Sequence, residues 1–493
     1  MYDHDEAATT ARRSSATARR LQSRAVGLLA TALCIAALAI GCSVNSSDSH
    51  YDALERHRAE QQRQAAQTAP PSATDAANQT PAASNTAPGA VTPGGNPPTM
   101  SHAGGAPARN YWTDFRGPAR DGRYDELVVQ TRWGANGLPQ LWKQPVGGGY
   151  ASFVIAEGRA FTIEQRRAQE VVAAYDVETG RELWTHGWNT EFRESMGGDG
   201  PRATPTWHEG RVYALGAEGE LRCLDARSGK HIWNRNILND NGAANLQWGM
   251  AASPLIVDDK VIVLPGGRQG KSVVAYNKLN GAPLWRALDD EASYTSPMLV
   301  TLAGRRQILV VTARRMVGLT EGGALLWEYP WQNSANISVS QPIVVGDNRV
   351  FISSGYGKGA ALVELVAAGK GLTARTVWEN SSMKNKFNSS VLHNGYVYGL
   401  DEGILSCINV QTGERKWKGG RYGYGQLLLA SDHLIVITDS GELVLVRATP
   451  DQFAEVARFP ALEGKTWNVP AISNNRLLVR NANEMACYNL AAQ

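Results

Sequence analysis

The chain has 493 residues, a net charge of +3 and 43% hydrophobic residues. That is ample for a large core, and a charge so near neutral argues against a nucleic-acid partner. The five cysteines include no Cys-x-x-Cys-His arrangement for covalent haem.

The first residues are polar and carry Arg12, Arg13, Arg19, Arg20 and Arg24, and an apolar run from Ala25 to Gly41 follows. A basic segment, a short apolar segment and a small residue before Cys42 predict a secretory signal over 1–41. Ala39-Ile40-Gly41-Cys42 resembles a bacterial lipobox, which implies lipidation of Cys42. The alternative is an uncleaved single-pass anchor, for which the run is at the short limit. Residues 42–108 are rich in Ala, Pro, Ser, Thr, Asn and Gln. Such a composition buries too little apolar surface to offset its ordering entropy, so a disordered tether is expected. Residues 109–140 carry Trp112, Phe115, Tyr124 and Trp133, too many large apolar groups for a linker. This segment should pack on the domain that follows, with TDFRGPARDG as a docked surface loop.

From Pro201 to Trp233 the chain reads as four short strands joined by tight turns: ATPTW, RVYALG, ELRCLDA and KHIW. The unit recurs. Asp or Asn, then Gly four later, then Trp four after that, stand at Asp176, Gly180 and Trp184; at Asp225, Gly229 and Trp233; at Asn277, Gly281 and Trp285; and at Asn409, Gly413 and Trp417. Gly323 and Trp327 keep the second half of the spacing, and Trp378 marks a divergent copy with a longer loop. Trp142, Trp184, Trp233, Trp285, Trp327, Trp378 and Trp417 should each plug the gap between neighbouring sheets. Their spacing of about 40–50 residues is that of a four-stranded propeller blade.

First strands start near Ser152, Thr204, Ser253, Ser296, Gln341, Ser389, Gln426 and Val469, so eight blades are expected. The last copy stops after three strands at Leu490, and Pro139–Lys143 can supply the fourth. The predicted fold is therefore all-β: an eight-bladed β-propeller of four-stranded antiparallel blades over 141–493. The N-terminal strand closes the ring and removes its open edges.

AYDVETGRELW, from Ala174 to Trp184, fits the repeat of the pyrroloquinoline-quinone-like propeller family, which the chain resembles from about Leu141 to Leu490. That family holds quinone-dependent dehydrogenases and BamB, the non-enzymatic lipoprotein of the outer-membrane barrel assembly machinery. The preamble YWTDFRGPARDG, with GPRATPT and FISSGYG, is similar to an uncharacterised bacterial branch of it. The resemblance implies the fold and does not choose among these functions.

The residues narrow the choice. Cys223, Cys407 and Cys487 share one position of the third strand in three blades, where Ala174 and Ala275 stand in others. A small buried residue suits that site, and no disulfide is expected. No adjacent Cys pair resembles the cofactor cap of quinoprotein alcohol dehydrogenases, and no acidic cluster offers a calcium shell or a base. No cofactor is therefore expected: pyrroloquinoline quinone (PQQ) is allowed by the resemblance and unsupported by motifs. The nine histidines are scattered, without metal-ligand spacing. PGGRQGKS, from Pro265 to Ser272, ends like a phosphate loop but precedes a strand, and reads as a hairpin turn.

One pattern survives. Three residues before each blade's Pro position stand Tyr150, Arg202, Ala251, Tyr294, Val339, Phe387, Tyr424 and Trp467. Two residues further on, the row is nearly all small and polar. Both rows begin the innermost strands and should approach one mouth of the central channel. The competing reading is packing between blades. Tyr150, Arg202, Tyr294, Phe387, Tyr424 and Trp467 are the candidate binding mouth. The chain is expected to be an exported, lipid-anchored, monomeric propeller facing the periplasm or cell exterior. It would bind or scaffold protein partners of the cell envelope, as in outer-membrane protein assembly. The alternatives are a quinone-dependent dehydrogenase of alcohols or sugars and a carbohydrate-binding propeller.

Overall fold

A computed structural model describes residues 50–64, 67, 111–369 and 371–491. The signal, the lipobox and Cys42 lie outside the described residues. The chain divides into two compact units, residues 1–57 and 58–493. Of the first, the described residues 50–57 are helical. The second opens with helical residues 58–64, where composition reads a tether. There Arg58 pairs with Glu182 at 2.8 Å, and Gln61 donates to Gln144 at 3.1 Å. The local run ALERHRAEQQRQ consists of strong helix formers and outweighs the average composition of the stretch around it. None of the described helices is long and apolar enough to cross a membrane.

The second unit is a ring of eight four-stranded antiparallel blades. Blade 1 holds Val154–Ala156, Arg159–Arg166, Gln169–Asp176 and Glu182–Asn189. Blades 2 to 7 follow, their first strands beginning at Thr206, Leu255, Met298, Ile343, Val391 and Gln426. Blade 8 holds Ala471–Ser473, Arg476–Arg480 and Glu484–Asn489, and its outer strand is Gln140–Pro145 from the other end of the domain. That strand runs antiparallel to Glu484–Asn489 with Trp142 opposite Cys487, so the ring closes as the repeat count requires. The core lies between sheets: one apolar cluster joins Tyr213, Leu221 and Trp233 of blade 2 to Val261, Val274 and Tyr276 of blade 3.

The repeat motif now has a physical basis. Trp142 Nε1–H donates to Val177 O at 2.8 Å, Trp184 to Ala226 O, Trp233 to Lys278 O, Trp285 to Glu321 O, Trp378 to Val410 O and Trp417 to Thr449 O. Each tryptophan thus fastens its blade to a turn of the next. The repeat glycine serves that contact twice. Gly180 has φ +72°, and a Cβ there would stand 2.7 Å from Trp142 Cδ2; Gly229, Gly281, Gly323 and Gly413 meet Trp184, Trp233, Trp285 and Trp378 in the same way. Opposite the tryptophan in its own sheet stands the small residue of the third strand: Ala174, Cys223, Ala275, Cys407 or Cys487. The three cysteines are free and buried in separate sheets, and burial pushes their thiols up to about 12.

One expectation needs correction and a second needs detail. Blade 5 is divergent because its outer two strands form a long hairpin, Gly359–Ala368 and Gly371–Asn380, not a longer loop. With no repeat turn there to receive it, Trp327 Nε1–H donates within its own blade, to Gln307 at 2.6 Å. The second concerns TDFRGPARDG, which is docked with Pro118 and Ala119 exposed but sends two arginines inward: Arg116 and Arg120 are 1% and 2% exposed.

Candidate functional site: a channel closed at one end and rimmed with aromatics at the other

Residues 112–124 touch the innermost strands of six blades. Trp112 exchanges backbone hydrogen bonds with Ile155 of blade 1, and Trp207 N–H of blade 2 donates to Thr113 O. Arg120 donates to Ser253 O at 3.1 Å, to Pro297 O at 2.9 Å and to Pro254 O, and pairs with Asp114 at 2.8 Å. Arg116 donates to Ser390 O at 3.0 Å and Leu427 O at 3.3 Å. Arg123–Tyr124 adds a parallel strand inside blade 7, against Leu429 and Ala430. Asn475 N–H of blade 8 donates to the Tyr124 hydroxyl at 3.1 Å, and a segment within reach of blades 1, 2, 3, 4, 6, 7 and 8 at once lies on the ring's axis. It is a plug. Arg116 has only carbonyls as partners, and burial lowers its guanidinium to about 10 despite Asp121 nearby.

The plug sits at one end of the channel. Ile155, Trp207, Leu392 and Leu429, which meet it, each stand five residues beyond Tyr150, Arg202, Phe387 and Tyr424. Along an extended strand that separation is about 15 Å. The aromatic row therefore marks the opposite mouth.

The two rows have separate jobs. The small polar row is buried and stitches blade to blade. Ser152 N–H donates to Thr204 Oγ1 at 2.9 Å, Ser253 N–H to Ser296 Oγ at 2.9 Å, Ser296 N–H to Gln341 Oε1 at 2.8 Å, and Gln341 N–H to Ser389 Oγ at 3.0 Å. Packing between blades explains this row. It also explains why seven of the eight first strands begin two residues later than the sequence suggests, since a belt made through side chains precedes them. The aromatic row is different: all eight of its residues are half-buried.

Five of the six candidate residues meet. Trp467 stacks on Tyr150 with centroids 5.5 Å apart and touches Phe387 at 4.6 Å, and Phe387 touches Tyr424 at 4.9 Å. Phe387 belongs to blade 6 and Trp467 to blade 8, so the rings reach past blade 7 to each other. Arg202 lies 5.5 Å from the Tyr150 ring. Tyr294 stands apart, its hydroxyl accepting from Trp248 N at 3.4 Å. Burial raises the Tyr294 hydroxyl, with Arg202 opposing.

The structure adds residues that the repeat register cannot find. Lys465 Nζ is 4.4 Å from the Trp467 ring and donates to Gly197 O. Lys386 Nζ lies over Tyr424 at 4.9 Å and Tyr356 at 5.6 Å. Both lysines stand one or two residues before a rim aromatic, a proximity that composition alone does not single out. What the rim can do is bind: it offers flat apolar faces and cations, with no nucleophile–base pair among them.

Similarity to known proteins follows this architecture. The chain is 23% identical over 351 residues to the outer membrane protein assembly factor BamB of Burkholderia pseudomallei, covering 62% of this chain and 86% of that one. It is 27% identical to a 1-butanol dehydrogenase (cytochrome c) of Thauera butanivorans, covering 35% of this chain; the match spans about a quarter of that enzyme's length. Among solved structures, BamB from Moraxella catarrhalis superposes with a TM-score of 0.52 at 19% identity, covering 72% of this chain and 98% of that one. Quinohemoprotein alcohol dehydrogenase from Comamonas testosteroni gives 0.53 at 13%, covering 78% and 81%. At these identities the superpositions speak to fold. Among the described residues no three His, Cys, Asp or Glu side chains are grouped to hold a metal ion. The belt residues beneath the rim, such as Ser152, Thr204, Gln341 and Ser389, supply hydroxyls and an amide and no carboxylate. The family model described as outer membrane protein assembly factor BamB (PQQ_2) matches residues 167–419, just over half the chain, and the chain belongs to that family of propellers.

Proposed function

We propose that the protein is a lipid-anchored, monomeric binding propeller of the cell envelope, and that it holds a protein partner of outer-membrane protein assembly at its aromatic mouth. The observation that carries this reading is the half-buried, mutually touching set Tyr150, Phe387, Tyr424 and Trp467, at the channel end away from the plug. Aromatics with an adjacent arginine, held rigid on a concave surface, are the groups that supply most binding energy at interfaces. Family membership supports the assembly role and the envelope location. Lipidation at Cys42 rests on the lipobox resemblance.

The test pairs Tyr424→Ala and Trp467→Ala with thermal unfolding and capture of assembly-machinery proteins from envelope extract. Binding at the mouth predicts weaker capture with a small change in melting temperature. A core role predicts destabilisation of about 3–5 kcal/mol with unchanged capture per folded molecule, and that result would sink the proposal. Reduction of an artificial electron acceptor by the protein with added quinone and calcium would instead favour the dehydrogenase reading, which the enzyme similarities keep in view.

A further inference from the structure

The rim is cationic as well as aromatic: Lys386 and Lys465 form no ion pair, and Arg202 makes no direct one, with Glu194, Asp199 and Glu170 acting on it only through space. Arg202 donates to Gly198 O and Gly200 O, with Phe192 4.4 Å below it. Lys465 donates to a carbonyl and otherwise faces Trp467 and Tyr150. Lys386 faces only rings. The nearest acids of the adjoining loop are already engaged: Glu194 accepts from the Met196, Gly197 and Gly198 amides, and Asp199 from Glu194 N–H. Elsewhere on this domain half-buried cations are paired, as in Lys358 with Glu379 or Lys384 with Glu402. At the mouth ring faces replace carboxylates, and a ring face attracts a cation less strongly than a carboxylate does.

Polar atoms next to the rim also lack partners. Asn388 Nδ2, Asn468 Oδ1 and Thr295 Oγ1 are buried with none, and each belongs to the residue after a rim aromatic. Nothing of the kind is needed to close the ring, which the belt already does. Apolar faces beside two lysines that no carboxylate pairs complement an extended chain that carries both carboxylates and large side chains.

We propose that the mouth takes an acidic stretch of extended polypeptide, its carboxylates meeting Arg202, Lys386 and Lys465 and its apolar side chains lying on Phe387 and Trp467. This rests on the mouth being the binding face. Since the plug closes the other end, the segment enters and leaves on the rim side.

The probes are three fluorescein-labelled peptides that alternate Phe with Glu, Ser or Lys, titrated against the full chain by anisotropy. The Glu peptide is expected to bind at least about tenfold more tightly than the Ser peptide, and the Lys peptide not to bind. Its affinity should fall between about 0.05 and 0.5 M salt, and should drop at least about tenfold in Lys386→Gln/Lys465→Gln with an unchanged melting temperature. Equal binding of the Ser peptide, or full Glu-peptide affinity in the double variant, overturns the proposal. If Trp467→Ala weakens envelope capture while the Glu peptide is ignored, the acidic preference fails and the mouth stands. If Trp467→Ala moves neither readout, both fail.

Discussion

The seam where blade 8 meets blade 1 gives the sharpest stability prediction. Trp142 is 9% exposed, lies against Gly180 and donates to Val177 O at 2.8 Å. Trp142→Ala removes the ring and strands a carbonyl, at a cost of about 3–5 kcal/mol. Gly180→Ala should also destabilise, for two separable reasons. Its φ of +72° is strained for alanine by about 1–2 kcal/mol. Its new Cβ would stand 2.7 Å from Trp142 Cδ2, overpacking that adds about 1–3 kcal/mol. The second cost vanishes once Trp142 is gone. The double variant should therefore be more stable than the sum of the singles by about 1–3 kcal/mol, a coupling well above ordinary additivity error. Equilibrium urea unfolding followed by circular dichroism measures it. Additive effects within about 0.5 kcal/mol would refute the claim that repeat glycines exist to receive the preceding blade's tryptophan.

Two further outcomes are expected. Arg120→Met should destabilise by about 1–3 kcal/mol, because it breaks the half-buried Asp114 pair and leaves the Ser253 and Pro297 carbonyls without a donor; a neutral result in the same unfolding assay would count against the plug. Glu170 is buried beside Gly216, accepts from Ala217 N–H at 2.8 Å, and has one oxygen without a partner. Burial, with Glu218 and Glu220 nearby, pushes its carboxyl up to about 7 against the opposing pull of Ala217 N–H and Arg202. The folded state then holds a proton that the unfolded state has released, so this group's contribution is fullest below about pH 4.5 and is lost as pH rises to about 7, by up to about 3 kcal/mol. Glu170→Gln should flatten the stability profile across that window, and an unchanged slope would contradict it.

The repeat made most of the ring legible. Asp176, Gly180 and Trp184 with their copies mark blade ends, and the incomplete last copy demands a strand from Pro139 onward, because side-chain contacts that recur once per blade leave a periodic trace. The plug leaves none. It is a single segment meeting seven different blades, and arginines such as Arg116 and Arg120 are ordinarily exposed, so Gly-Pro and Asp-Gly alone suggest a surface turn. The mouth was half legible. Tyr150, Phe387, Tyr424 and Trp467 share a register, so their convergence follows from ring geometry. Lys386, Lys465 and Tyr356 occupy no common register and join the rim only through loop conformation. Tyr294 keeps the register and still misses the cluster, because it packs on Trp248 instead.

Site-specific photo-crosslinking in living cells tests the central claim most directly, with the crosslinking side chain placed at Tyr424 on the rim or at Leu284 on an exposed outer strand. A propeller that binds through its aromatic mouth predicts an adduct with an outer-membrane assembly protein from position 424 and none from 284. Adducts from 284 alone would show that the protein works through its outer edges, and the mouth would lose its claim to be the functional site.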